Sequence, residues 1–394
     1  MKIAAVIPTR NRASLAAAAA RSLLDQDCPI EIFLSDNSTS PDELRAFCRD
    51  EPRVHYLRPG QELPMAEHWD WALRQAMERS DATHFTLHYD RKYSKPGTWG
   101  AMAAVAAQWP DTLVTYSSDY ISALSPPLRI WQIRWTGRVY RVRTTRIAEL
   151  IAAGRVPEMA HVVPILSNCV VPRAVLQSIS SRFGNICNST AADACFTSRL
   201  IALQDRYLHL DRALTILYAF GRSAGAGYVR GSGGDFADFQ KTWGGRPWLD
   251  AAPLPGLNLG QNMLYHEYEL VRRETGERLP PIDRAAYLNH LGESLRWVEA
   301  PELRAELRRI LEAHGWRGVD APDVRAPFRL RDRVRQKVRT FLADRFGIRP
   351  LSVSGYMFHD EQQALQLALK YPHPSLDGEN PDLDVLEPEA VAGP

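Results

Sequence analysis

The sequence predicts an α/β fold: a largely parallel sheet covered by helices on both faces, followed by a helical C-terminal region. Two observations carry this. Over roughly the first 116 residues, short apolar runs alternate with longer helical stretches, the pattern of βα units. After about residue 250 the strand signals stop and helical periodicity continues.

The elements follow in order. Lys2-Ile3-Ala4-Ala5-Val6-Ile7 reads as a buried strand. Residues 14–25 are rich in Ala and Leu and read as a helix with Ser14 as its cap. Ile30-Glu31-Ile32-Phe33-Leu34 is a second strand, and residues 41–50 form a helix with Pro in its first turn. Val54-His55-Tyr56-Leu57 is a short strand, 65–78 a helix, His84-Phe85-Thr86-Leu87-His88 a strand, 96–109 a helix and 112–116 a strand. Pro253, Pro255 and Gly256 mark a connection, and 262–274, 284–298 and 301–314 read as helices. The expected organisation is a sheet domain over 1–245, a helical region over 255–371 and a disordered acidic tail over 372–394, which has no Lys or Arg.

Composition limits the function. The 394 residues are 45% hydrophobic and 24% charged, with a formal net charge of +2. This balance gives no whole-protein nucleic-acid footprint. The five cysteines are odd in number, scattered and without a CxxC pair, which points to a reducing, cytoplasmic setting and against a zinc ribbon. The first apolar run ends at Pro8-Thr9-Arg10-Asn11-Arg12, too soon for a signal peptide. No run of about 18 apolar residues occurs, so membrane contact would be peripheral.

Ligands of such sheets gather at the C-terminal ends of the strands. Three polar clusters fall there: Pro8 to Arg12, Ser35-Asp36-Asn37-Ser38 and Tyr89-Asp90-Arg91-Lys92. Each alone is ordinary turn chemistry. Three on one rim make a binding site.

The order and spacing of these clusters carry a resemblance. Ala5-Val6-Ile7-Pro8-Thr9-Arg10-Asn11-Arg12, then Leu34-Ser35-Asp36-Asn37-Ser38-Thr39, then Pro64-Met65-Ala66-Glu67-His68-Trp69, then the stretch from His84 to Pro96, resemble family 2 glycosyltransferases of the GT-A fold. The match covers about residues 1–115 and continues more weakly to about 220. The resemblance implies transfer of a sugar from a nucleotide-diphosphate sugar to an acceptor hydroxyl, with inversion, in glycan or polysaccharide biosynthesis. It implies that Pro8, Thr9, Arg10, Asn11 and Arg12 line the nucleotide and that Asp36, beside Asn37, contacts its base. A turn-forming role for Asp36 is the plainer alternative.

The resemblance also implies a paired acidic motif holding Mg2+ or Mn2+ against the donor diphosphate. Here His88-Tyr89-Asp90-Arg91-Lys92 supplies only Asp90 as a carboxylate. Either Asp90 and phosphate oxygens hold the cation, or Arg91, Lys92 or Lys95 meets the leaving diphosphate directly. Inverting transfer needs a carboxylate base at the acceptor. Asp193, which opens an apolar helix after the small-residue loop 184–192, matches that role; Asp205 and Asp211 are its rivals, and helix capping is the plainer reading of Asp193.

Other signals bear on alternatives. The glycine-rich stretch 221–234 lacks GxxxxGK[ST] and reads as a connector or a loop that closes over the donor. Residues 328–346 place Leu330, Val334, Val338 and Phe341 on one face among arginines, either a solvated helix or a peripheral contact with a membrane or lipid-linked acceptor at its inner face. Two other classes are a sugar nucleotidyltransferase, which would need a glycine in the loop after the first strand, and an inactive nucleotide- or carbohydrate-binding protein.

Overall fold

The computed structural model describes residues 1–122, 128–159, 162–189, 191–218, 249–276, 278–318, 338, 356–358, 360–370, 376 and 378–392. The glycine-rich stretch, the boundary at 245 and the basic segment apart from Val338 lie outside them.

The strands β1 (Ile3–Thr9), β2 (Ile30–Asp36), β3 (Val54–Leu57), β4 (His84–Leu87), β5 (Lys92–Ser94), β6 (Val114–Ser122), β7 (Leu128–Trp131), β8 (Val139–Arg143), β9 (Cys169–Pro172), β10 (Arg206–Leu217), β11 (Met357–Phe358) and β12 (Glu389–Val391) join in a 12-stranded sheet. Its main path runs β12-β8-β10-β6-β9-β4-β1-β2-β3. From β4 through β1 and β2 to β3 the pairing is parallel. β9 runs antiparallel between β4 and β6, and β10 returns to parallel pairing with β6. The sheet is therefore mixed, with its mostly parallel part where the sequence alternated strand and helix.

Helices cover both faces. α1 (Ala13–Leu24), α2 (Asp42–Asp50) and α4 (Trp99–Gln108) lie on one; α3 (Met65–Arg79), α5 (Thr144–Ala152), α6 (Arg173–Phe183) and α7 (Ala192–Leu203) lie on the other. β1 shows why its run is apolar throughout. Ala4 and Val6 enter the core under α3 and α7, while Ile3, Ala5 and Ile7 enter the core under α1 and α4. A strand buried on both faces has no polar side to alternate with. The helices α8 (Gly260–Glu274), α9 (Arg284–Ser294) and α10 (Pro301–Ala313) extend the α3 and α7 core, with Tyr265, Tyr268, Tyr287 and Leu311 buried in it. No helix among the described residues is long and apolar enough to cross a membrane.

Several expectations are corrected. Ser14 does not cap α1, which starts at Ala13 after Arg12 and has no side-chain cap. α4 starts at Trp99, because Pro96-Gly97 turns the chain first with Gly97 at φ +64°. The strand expected over 112–116 extends to Ser122. Lys92, expected in a rim loop, begins β5 (Lys92–Ser94), which pairs with β10. The tail is partly ordered: a 3-10 helix over Pro381–Leu386 buries Leu383 and Leu386, and β12 pairs with β8. Arg141 and Arg143 of β8 pair with Glu389 and Glu387, so the acidic composition matches the basic strand it lies beside.

Candidate functional site

The rim is made by register. In the β1–β2 ladder Pro8 lies opposite Ser35 and Thr9 opposite Asp36. The β1–β4 pairing ends at Val6 opposite Leu87, with the Val6 carbonyl accepting from His88 N–H. Two residues on, Pro8 faces that same side just where the ladder has ended, so its missing N–H costs no bond. The first two clusters are then tied together. Asn37 N–H donates to the Thr9 carbonyl at 2.9 Å and Asn11 N–H to Ser38 Oγ at 2.7 Å. Asn11 holds φ +55° and its side-chain oxygen accepts from Thr39 N–H at 3.0 Å. Asparagine tolerates this left-handed backbone better than most residues.

Asp36 is fully buried. Its Oδ1 accepts from Ser38 N–H at 2.9 Å, and its Oδ2 accepts from the Tyr56 hydroxyl at 2.8 Å and from Arg58 at 3.4 Å. The carboxylate thus forms an Asx turn and also anchors Tyr56 of β3 and Arg58 just after it. Asn37 exchanges hydrogen bonds with the backbone of Leu63, and Ser35 bonds His68 at 2.8 Å, fixing the start of α3 beneath the rim. Burial pushes His68 down to about 3, so it stays neutral. Arg10 pairs with Glu62.

The third cluster closes onto the first. Asp90 Oδ2 accepts from the Thr9 hydroxyl at 2.7 Å and pairs with Arg12 Nε at 3.0 Å. Asp90 is buried, while Arg12 remains partly exposed beside it. A divalent cation at this point would find one carboxylate, already bonded to a hydroxyl and a guanidinium. Among the described residues no three His, Cys, Asp or Glu side chains converge. This donor set does not fit a cation held by the protein alone.

β5 separates the three cations expected to meet phosphate. Alternation along the strand turns Lys92 and Ser94 inward and leaves Tyr93 half-buried. Lys92 is buried, donates to the Ser167 carbonyl and lies 5.3 Å from the centre of the Tyr116 ring. Burial pulls its pKa down to about 7. Lys95 is buried in an ion pair with Asp119 at 2.7 Å. Both lysines serve the interior. Arg91, half-buried, stays with Asp90, its guanidinium 4.9 Å from the centre of the Tyr89 ring.

Asp193 arrives from the other half of the sheet domain. It stands in the first turn of α7 and does not cap it: the residue before the helix is Ala191, and no side chain bonds the cap. The Asp193 carboxylate instead accepts the Tyr89 hydroxyl at Oδ2, which joins it to the Asp90–Arg91 loop. Oδ1 is out of reach of solvent and has no hydrogen-bond partner among the described residues. Burial raises the Asp193 pKa, opposed by the Tyr89 hydroxyl and by the Lys92 and Arg91 charges. The rivals lie elsewhere. Asp205 is exposed just before β10, at the rim opposite the three clusters. Asp211 accepts from Thr136 at 2.7 Å and from Asn380 at 3.0 Å, and so holds the tail.

The loop before α7 is pinned at both ends by residues that sequence reading did not single out. Asp70 of α3 accepts from Ile186 N–H at 2.5 Å and pairs with Arg74. Glu267 of α8 accepts from Ala191 N–H at 3.2 Å. Both carboxylates are buried. In the sequence they are ordinary helical acids, and only the fold brings them to this loop. A cleft of about 510 Å3 between α1 and α2, lined by Ala13, Ser14, Arg21, Glu43 and Phe47 among others, touches none of these side chains.

Residues 4–143 match the family described as Glycosyl transferase family 2. That segment holds all three rim clusters, and the resemblance read from the sequence is borne out there. No curated protein matches the chain. Among solved structures, S. aureus TarS is similar at 15% identity and a TM-score of 0.43, covering 80% of this chain and 54% of that one. This chain therefore spans about half the length of that TarS structure. TarS 1-349 in complex with UDP-GlcNAc is similar at 15% identity and a TM-score of 0.45, covering 79% of this chain and 86% of that one.

Proposed function

We propose that this chain, a family 2 glycosyltransferase match over residues 4–143, transfers a sugar from a nucleotide-diphosphate sugar to an acceptor hydroxyl with inversion. The observation that carries the reading is the hydrogen bond from Tyr89 to Asp193. It brings a carboxylate from the far half of the sheet domain to the loop bearing Asp90 and Arg91.

In this reading the nucleotide lies along the rim from Pro8 to Arg12 and over Asp36 and Asn37. Asp36 shapes that surface through Tyr56 and Arg58. The donor diphosphate lies by Arg12 and Arg91, two guanidiniums suited to phosphate oxygens. The acceptor hydroxyl gives its proton to Asp193 as its oxygen attacks the anomeric carbon. The bond from that carbon to the diphosphate oxygen breaks, and the nucleoside diphosphate leaves with the electron pair, its charge met by the arginines. No step passes through a cation. The acceptor belongs to a glycan or a lipid-linked saccharide.

The test is release of free nucleoside diphosphate from a panel of nucleotide sugars, with wild type and Asp193→Asn side by side. Asparagine keeps the size of the side chain and removes the proton acceptor. The expected loss in kcat is about 10²–10⁴-fold, with donor affinity unchanged. A variant that turns over like wild type removes Asp193 as base. A wild type that binds nucleoside diphosphate yet releases none from any donor supports the inactive binding protein instead.

A further inference from the structure

Helix α8 lies well beyond the family match at 4–143, yet one of its side chains reaches the loop that leads into α7 and Asp193. The first turn of a helix leaves amide groups without partners. Ala191, at the cap of α7, has no side chain to offer them. Glu267 brings a carboxylate to that end from a different helix. It accepts from Ala191 N–H at 3.2 Å. That contact lies two residues before Asp193 along the chain.

Glu267 is 1% exposed. Burying a carboxylate costs free energy that an apolar side chain of similar volume would avoid. What the carboxylate provides is direction: it fixes the amide of Ala191, two residues before Asp193, and the helix turn that follows. At the far end of the same loop, Asp70 fixes Ile186 and Cys187. The loop is thus held by one acid from the sheet domain and one from the helical region.

We infer that Glu267 is a positioning residue for Asp193, which makes α8 part of the catalytic apparatus; the inference rests on Asp193 being the base. Glu267 orders the Ala191 turn so that the Asp193 carboxylate meets both Tyr89 and the acceptor hydroxyl. A displacement of about 1 Å at such a point can cost on the order of 10²-fold in rate.

The experiment measures kcat, donor KM and melting temperature for wild type, Glu267→Gln, Glu267→Asp and Glu267→Ala in the full chain. Glu267→Ala is expected to lower kcat by about 10²-fold with donor KM unchanged. Glu267→Gln, whose amide oxygen still accepts from Ala191, keeps most of the turnover. Glu267→Asp keeps a carboxyl group but falls short of Ala191, so its kcat drops toward that of Glu267→Ala. Should Glu267→Ala not fold, the Gln and Asp variants decide. Wild-type kcat in Glu267→Asp overturns the inference, and so does a fall in which kcat, donor KM and melting temperature move together in every variant. Asp193→Asn measured alongside separates the two claims. If it turns over normally, the base assignment has failed. If it is slow while Glu267→Asp is fast, only the positioning role has failed.

Discussion

The rim clusters and the loop before α7 reach their conformations by different routes. The rim clusters are continuations of neighbouring strands. Register alone places Thr9 beside Asp36, and turn chemistry then adds the Ser38, Asn11 and Thr39 bonds. The loop before α7 has little of this local support. Its anchors, Asp70 and Glu267, lie 116 and 76 residues away along the chain. A nucleotide surface can be built from adjacent strand ends, because its shape repeats whenever the strands pair. A base must also meet a second substrate, and its position is set by packing between distant helices.

Three substitutions probe this contrast. Asp90→Asn has the largest expected effect, because it removes the charge partner of Arg12 and disturbs the contact between the first and third clusters. Turnover is expected to disappear while circular dichroism stays native. The same assay in excess EDTA sharpens the result: full wild-type activity there is expected if Arg12 and Arg91 meet the diphosphate, and its loss would assign Asp90 to an exchangeable cation.

Asp36→Ala comes next. Half-buried Tyr56 and exposed Arg58 lose their shared acceptor, and losing such hydrogen bonds costs about 0.5–1.5 kcal/mol each. Thermal melts should show that loss, and calorimetric titration should show weaker nucleoside diphosphate binding. Equal affinity in both proteins would take Asp36 out of the site and leave it a turn residue. It would also break the comparison, since the rim cluster would then be scaffold only.

Tyr89→Phe tests the joint between the two regions with the smallest effect. The Tyr89 hydroxyl favours the charged form of Asp193. Without it the Asp193 pKa rises further, so a larger fraction is protonated at a given pH and unable to accept a proton. The acid limb of the pH profile of kcat should therefore move to higher pH, with the plateau at high pH largely kept. An unmoved limb would disconnect Tyr89 from the base.

Much of this was legible in the residues. The run Ile3 to Ile7 is apolar at every position because both faces of β1 are covered, and that is visible without coordinates. The polar clusters at the strand ends were readable for the same reason, since chain exposed at a sheet rim must turn and bond its own backbone. Asp193 was legible as a carboxylate at a helix start, though capping and catalysis look alike there. Lys92 illustrates what was not. In the sequence it is one of two cations after an aspartate, yet β5 turns it inward to the Ser167 carbonyl.

For β1, β2 and β4 the sequence by itself determined that the segments become buried strands and which polar side chains gather at their ends, because strand burial and turn chemistry depend on near neighbours. Tertiary structure alone decided that Asp193 meets Tyr89, that Asp211 holds the tail and that Glu267 reaches the loop from a later helix. The protonation and orientation of a carboxylate follow from what surrounds it in space. Those surroundings come from residues tens to more than a hundred positions away, whose approach no local pattern encodes.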